Sequence, residues 1–260
     1  MTETDLPMGS KRSTARLASC YARMRTFQED RARKLLELAA AKPGEVALDI
    51  GCGTGEQTCD LARRLLPGGE LVAIDPDLSR IEFARQNAAD QRLDVAFRQA
   101  RGEDLSELQS GRFDLIYSSY AIHWITDMPA FLAEANRVLK PGGRMVFECV
   151  GEPPAKIVDL IGLMPDFEEI MQENTFLSDG AWRNQIKTAG FEIDELDWSM
   201  LALEFADLTA MLDWTEATSH GAFRRELLSE EQMTEIWQRY PSDVVVPFKA
   251  LRGVLRKAQS

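Results

Sequence analysis

Cysteine is scarce in this chain. Four occur in 260 residues, at positions 20, 52, 59 and 149, with no CxxC pair and no zinc-ligand spacing. The simplest expectation is free thiols in a reduced, cytoplasmic protein without a metal site. Long apolar runs are missing as well. No window approaches the ~20 apolar residues that span a bilayer, and the first residues carry no apolar signal core, so no membrane partner is expected. Positive charge is in deficit: 30 Lys and Arg face 42 Asp and Glu, a net charge of −12. A phosphate backbone attracts basic surface, so this balance argues against a nucleic-acid partner. "SKRSTAR" and "LRGVLRK" are short basic clusters and read as solvated surface. Internal repeats and low-complexity stretches are absent too.

What is present is an alternation of buried strands and amphipathic helices. A helical pattern runs over residues 13–41, with Leu35, Leu36, Leu38 and Ala39 as its apolar stripe, and "KPG" stops it. "VALDI" (46–50) reads as a strand, followed by a glycine-rich loop and a helix through residue 66. "ELVAID" (70–75) is the second strand, "LSRIEFARQNAAD" (78–90) a helix and "DVAFRQA" (94–100) the third strand. "FDLIYSS" (113–119) is the fourth strand, 128–140 a helix closed by "PGG", and "RMVFECV" (144–150) the fifth strand. Near-continuous apolar strands alternating with helices indicate an α/β fold with a parallel sheet covered on both faces.

The rhythm changes after Gly151. Residues 155–190 read as mostly helical, 191–205 as one strand, 206–240 as helical again and 248–257 as the last strand. Pro247 fits only at that strand's start or on an edge. The last two strands therefore form a hairpin split by a helical insertion. Three regions are expected: a helical cap over 1–34, a ligand-binding core over 35–150, and a completing region over 151–260. The last region contributes two strands and a helical cap over 155–188 and 206–240.

"LDIGCGTGEQT" (48–58) places Gly51, Gly53 and Gly55 between the first strand and its helix. Glycine there allows positive φ and removes Cβ atoms from a ligand's path. The dinucleotide fingerprint is GxGxxG, whereas this spacing is GxGxG with Glu56 next. A pyrophosphate on this helix N-terminus would meet that carboxylate. The loop therefore points to an adenosine-bearing ligand without phosphate. Asp75 ends the second strand, 20 residues after Gly55, where a carboxylate can accept from two ribose hydroxyls. Asp49 ends the first strand beside the loop and beside any cationic ligand.

"ALDIGCGTG", "AIDPD", "FDLIYSSYAIHWI" and "VLKPGGRMVF" resemble, in order, the motifs of class I S-adenosylmethionine-dependent methyltransferases. The resemblance implies a Rossmann-like, seven-stranded, mostly parallel sheet with a reversed last hairpin, and S-adenosylmethionine as cofactor. It implies that Gly51, Gly53 and Gly55 line the methionine and ribose, with Cys52 beside them, and that Asp75 and Pro76 border the ribose. Ser118 and Ser119 would meet the methionine end. The family usually carries an acid after strand three to accept from the adenine amino group. Arg101 stands there, so Glu103 or Asp104 takes over, with the Gly102 amide facing adenine, or else these residues merely cap a short helix.

Methyl transfer needs alignment and exclusion of water, and a hydroxyl or amine acceptor also needs a base. A carboxylate acceptor is already ionised and needs donors instead. "FQEDRARKLLEL", "AIHWITD", "WRNQIKTAGF" and "YPSDVVVPFKALRGVL" resemble the trans-aconitate, malonyl-carrier-protein and juvenile-hormone-acid carboxyl methyltransferases. That narrower resemblance implies that Gln28 and Trp124 donate to an acceptor carboxylate. His123 stands where the group often has Gln, which leaves open a base-catalysed transfer to carbon, nitrogen or a hydroxyl. Tyr21, Trp214, Thr218 and His220 are candidate acceptor-pocket residues, the last three on a lid. Met164 and Met171 suit either core or an adaptable lipophilic pocket. Arsenite methylation finds no paired thiolates, and a non-catalytic cofactor-binding regulator is the alternative of another class. The expected partner is a small molecule, free or carrier-bound, with the chain monomeric or homodimeric.

Overall fold

Continuous apolar segments between glycine and proline punctuation become the strands of one sheet. The computed structural model describes residues 26–259 apart from 173, 206, 220 and 241–243. The elements are α1 (Thr26–Ala39), β1 (Val46–Ile50), α2 (Glu56–Leu65), β2 (Glu70–Asp75), α3 (Leu78–Asp90), β3 (Ala96–Gln99) and β4 (Phe113–Ser119). A 3-10 turn (Ile122–Trp124), α4 (Met128–Val138), β5 (Leu139–Glu152), α5 (Ala155–Ile161), α6 (Phe167–Gln172) and α7 (Asp179–Thr188) follow. β6 (Phe191–Phe205), α8 (Leu208–Thr218), a second 3-10 turn (Arg225–Leu227), α9 (Glu230–Arg239) and β7 (Val244–Lys257) complete the chain.

The seven strands lie in the order β3-β2-β1-β4-β5-β7-β6. The first five are parallel, while β7 runs antiparallel to both β5 and β6. This is the sheet with a reversed last hairpin that the sequence implies. The order reverses at β1, flanked by β2 and β4, and that switch opens a crevice at the carboxyl ends of the strands.

Helix starts follow their caps. Asp77, Asp127, Ser178 and Asp207 each accept from backbone N–H groups of the first turn, and Ser229 forms a capping box with Gln232. One face of the sheet buries Leu48, Ile116, Phe131 and Phe147 with Trp182 of α7. The other buries Leu35, Leu36 and Ala39 of α1 against Leu61 of α2 and Leu115 of β4. A third cluster joins Leu160, Met211, Phe223 and Ile236 to Val246 and Phe248, so the later helices rest on the far end of the hairpin. Met164 belongs to that cluster.

Several boundaries differ from the expected ones. β5 begins at Leu139, because Leu139 pairs with Phe113 before the "PGG" bulge interrupts the register. β7 begins at Val244, and Pro247 pairs with Ala202 of β6 at a level where β5 has already ended. Pro247 thus lies on a one-sided stretch of the strand, as its missing N–H requires. The described part of the first helix, Thr26–Ala39, lies within the helical pattern expected over 13–41. No described helix is long and apolar enough to cross a membrane.

Candidate active site

A cavity of about 1030 Å³ occupies the crevice above β1, β2 and β4 and continues under α5, α6 and α8. Its first wall is the glycine loop. Gly51, Gly53 and Gly55 have φ of 76°, 54° and 86°. The three serve different ends. A Cβ on Gly51 would sit 2.1 Å from the Ala121 Cβ, so this glycine lets the loop pass beneath the segment after β4. A Cβ on Gly55 would meet Ala84 at 2.8 Å, so this one lets α2 start against α3. A Cβ on Gly53 would meet no atom within 4 Å, which leaves that side open to a ligand. Gly51, Cys52 and Gly53 line the cavity, and Gly55 does not.

Asp75 is 4% exposed. Its two carboxylate oxygens accept from the Gly53 amide at 3.0 Å and the Asp77 amide at 2.9 Å. One acceptor site on each oxygen remains for a ligand, which suits a pair of vicinal hydroxyls. Burial raises its pKa, opposed by the Arg80 charge. Asp49 is 2% exposed and accepts from the Thr58 hydroxyl at 2.7 Å. Burial pushes its pKa up to about 7, with the Thr58 bond lowering it and the Asp75 charge raising it. Two buried acids that resist ionisation make a favourable seat for a cation.

Pro76, Gly102 and Glu103 border the same end. Gly102 is held between Ile50, Ile125 and Phe131, where a Cβ would meet Ile125 at 2.9 Å. Glu103 accepts from Arg101 at 2.8 Å and from the Thr126 amide at 3.2 Å. Asp104 instead bonds Ser106 at the surface. Of the two acids that follow Arg101, Glu103 faces the cavity. Ser119 lines the cavity as well, but Ser118 is turned away and donates to the Ile50 carbonyl at 2.8 Å, tying β4 to β1.

His123, Trp124, Trp214 and Thr218 line the other end. His123 is 7% exposed, and its Nδ1 has no hydrogen-bond partner among the described residues. Its ring lies 5.4 Å from the Trp124 ring and 6.4 Å from Phe176, centroid to centroid. Burial lowers its pKa to about 3, so the ring is neutral near pH 7. The Thr218 hydroxyl donates to the Trp214 carbonyl at 2.8 Å, a bond within α8. Tyr21, His220 and the Gln28 side chain lie outside the described residues.

One constellation escapes the sequence reading. Glu148 of β5 is 2% exposed and accepts from Arg31 of α1 at 3.0 and 2.5 Å, and from the Tyr120 hydroxyl at 2.6 Å. Tyr120 lines the cavity at φ 53°, a left-handed conformation held by its amide bond to the Glu148 carbonyl at 2.6 Å. Arg31 and Glu148 are 117 residues apart. The β4–β5 register and the packing of α1 on the sheet bring the group together, so no local pattern announces it.

The observed groups fit S-adenosylmethionine. Its ribose diol matches the paired free acceptors of Asp75, its sulfonium and ammonium match the two buried acids, and the open side of Gly53 admits its backbone approach. The family model described as "Methyltransferase domain" matches residues 48–147. The chain is 30% identical over 204 residues to nocamycin O-methyltransferase of Saccharothrix syringae, covering 71% of this chain and 72% of that protein. It is 37% identical over 123 residues to trans-aconitate 2-methyltransferase of Deinococcus radiodurans, covering 47% of this chain and 45% of that protein. Phosphoethanolamine N-methyltransferase 2 of Haemonchus contortus, solved with S-adenosyl-L-methionine, shares the fold at TM-score 0.64 and 16% identity. That likeness covers 98% of this chain and 61% of that one. With S-adenosylmethionine as its cofactor, the chain belongs to the class I S-adenosylmethionine-dependent methyltransferases.

Proposed function

We propose that this small-molecule methyltransferase esterifies a carboxylate. The observation that carries the reading is the state of His123: buried against Trp124 and Phe176, neutral, with a pKa lowered to about 3 and Nδ1 without a partner among the described residues. A base whose conjugate acid is that strong removes a proton from a hydroxyl or carbon poorly. A neutral imidazole still carries one N–H, and Trp124 brings an indole N–H to the same wall. Donors without a base are what an ionised carboxylate needs. The O-methyltransferase named among the relatives supports the same direction.

When bound, S-adenosylmethionine supplies an electrophilic methyl on sulfur, which leaves as a neutral thioether. Asp75 holds the ribose, and Gly53 lets the cofactor approach the backbone. Asp49 and Asp75 favour the cationic reactant over its neutral product. His123 and Trp124 orient the attacking carboxylate oxygen, joined by Gln28 from the first helix. The helical layer over α5, α6 and α8 keeps water from the transferring methyl. Residues 1–34 and the segments over 155–188 and 206–240 act as the cap, and 35–150 as the cofactor-binding core.

His123→Asn tests the reading, because an amide replaces an orienting hydrogen bond but cannot abstract a proton. The variant is expected to retain substantial turnover, with a rate at saturating S-adenosylmethionine that is flat between pH 6 and 8 in both proteins, the Asp49 ionisation at about 7 entering only through cofactor affinity. Loss of transfer with cofactor binding intact, and a rate that follows one ionisation near neutrality, would make His123 a base and overturn the carboxylate assignment.

A further inference from the structure

We infer that the acceptor is an amphiphile with one polar end and an extended hydrocarbon body, a lipophilic monoacid and not a polycarboxylate. The inference rests on the carboxylate reading and narrows it. At about 1030 Å³ the cavity lies at the top of the ~300–1,000 Å³ range of small-molecule sites, so a sizeable second ligand fits beside the cofactor.

The charges in its wall are segregated. Every charged lining residue falls between Arg33 and Glu103, around the cofactor end. From Tyr117 to Phe248 no described lining residue is charged. The acceptor chamber is built from Ile157, Ile161, Met171, Phe176, Trp214 and Phe248. Three of the hydroxyls in that stretch are committed elsewhere. Thr215 donates to the Met211 carbonyl at 2.8 Å, Thr218 to the Trp214 carbonyl at 2.8 Å and Tyr120 to Glu148 at 2.6 Å.

His123, 7% exposed and with no partner at Nδ1 among the described residues, stands at the junction of the two ends. One carboxylate placed there has the His123 and Trp124 donors and the cofactor's positive charge. A second or third carboxylate would be buried in the chamber with no cation among the described lining residues to meet it, which disfavours it. Hydrocarbon in the same place loses only its contact with water. Met171, with an unbranched and polarisable side chain, lets such a chamber accept bodies of varied shape.

Calorimetry on the full chain saturated with S-adenosylhomocysteine tests this without requiring turnover. The probes are hexanoate, octanoate, decanoate and tricarballylate, each below its aggregation concentration. Affinity is expected to rise about fourfold per added methylene at one ligand per chain, with no measurable binding of the tricarboxylate. Met171→Asp is expected to weaken decanoate at least tenfold while the dissociation constant of S-adenosylhomocysteine holds. Affinity independent of chain length, or tricarboxylate binding as tight as that of decanoate, overturns the inference. Methyl-ester formation is scored separately: acids that bind with the expected slope but are never esterified leave the chamber's class standing and sink the carboxylate reading.

Discussion

Replacing Asp49 by Asn is expected to stabilise the ligand-free protein in alkaline solution while weakening its hold on the cofactor. Asp49 is buried, bonded to the Thr58 hydroxyl and close enough to Asp75 to feel its charge. Burial foremost lifts its pKa from the usual 3.8 to about 7. A raised folded-state pKa means that the native chain keeps a proton which the unfolded chain has released. Stability therefore falls as pH rises from about 4 to about 7, and levels off above the folded pKa. Between pH 5.5 and 8.5 the remaining climb to pH 7 is about 1.5 units, worth about 2 kcal/mol at ~1.4 kcal/mol per unit. Asn accepts the same Thr58 hydroxyl and does not titrate.

Urea unfolding of both proteins at the two pH values measures the difference. The stability of Asp49→Asn relative to the parent should grow by about 2 kcal/mol on going to pH 8.5. Any change in packing cancels in that comparison. An equal relative stability at both pH values would refute the claim that this carboxyl is held against ionisation. The same variant should bind cationic S-adenosylmethionine more weakly at pH 8.5, and lose less affinity for the uncharged sulfur of S-adenosylhomocysteine.

Asp75→Asn turns an N–H toward one of two backbone donors and removes a charged acceptor from the ribose. At about 1.5–3 kcal/mol per such bond, the cofactor dissociation constant should rise roughly ten- to a hundredfold by calorimetry, and an unchanged constant would remove Asp75 from the site. Gly51→Ala and Gly53→Ala should separate fold from ligand. The first drives a Cβ to 2.1 Å from Ala121 and should unfold at markedly lower temperature, whereas the second meets open space. Gly53→Ala should keep most of its stability, less about 1–2 kcal/mol for the left-handed residue, and lose cofactor affinity; the reverse pattern would contradict the geometry. Residues 26–34 and 208–218, which border the cavity, should gain hydrogen-exchange protection when S-adenosylhomocysteine binds, and equal protection in both states would mark them as static packing.

Strands whose ends were readable are those bounded by punctuation. "VALDI" lies between Pro-Gly and the glycine loop, "ELVAID" between Pro-Gly-Gly and Pro76, and "FDLIYSS" follows Gly111; they become β1, β2 and β4 with unchanged limits. The helix over 78–90 was equally legible, since Asp77 caps it and its apolar positions recur at helical spacing. β5 starts earlier than its apolar run because backbone pairing with Phe113 extends it, whereas β7 takes in the apolar "VVV" (244–246) on the far side of Pro247, a proline tolerated within the strand only because that stretch is paired on one side. Within the site, the glycine loop and Asp75 were legible because close backbone approach and a strand-end acid each restrict the residue type. Burial was not. That His123 is neutral, that Ser118 and Gly55 face the protein and not the cavity, and that Arg31, Tyr120 and Glu148 meet are consequences of the sheet register and the helical layer above it.

The most direct test of carboxyl methylation follows the fate of one methyl group. The protein is incubated with methyl-labelled S-adenosylmethionine and a panel of acids, and the labelled product is treated with mild base. Release of the label as methanol, dependent on Trp124 and undiminished by loss of an ionisable group at position 123, is the predicted result. A labelled product that survives base, as a methyl on carbon, nitrogen or an ether oxygen does, would contradict it.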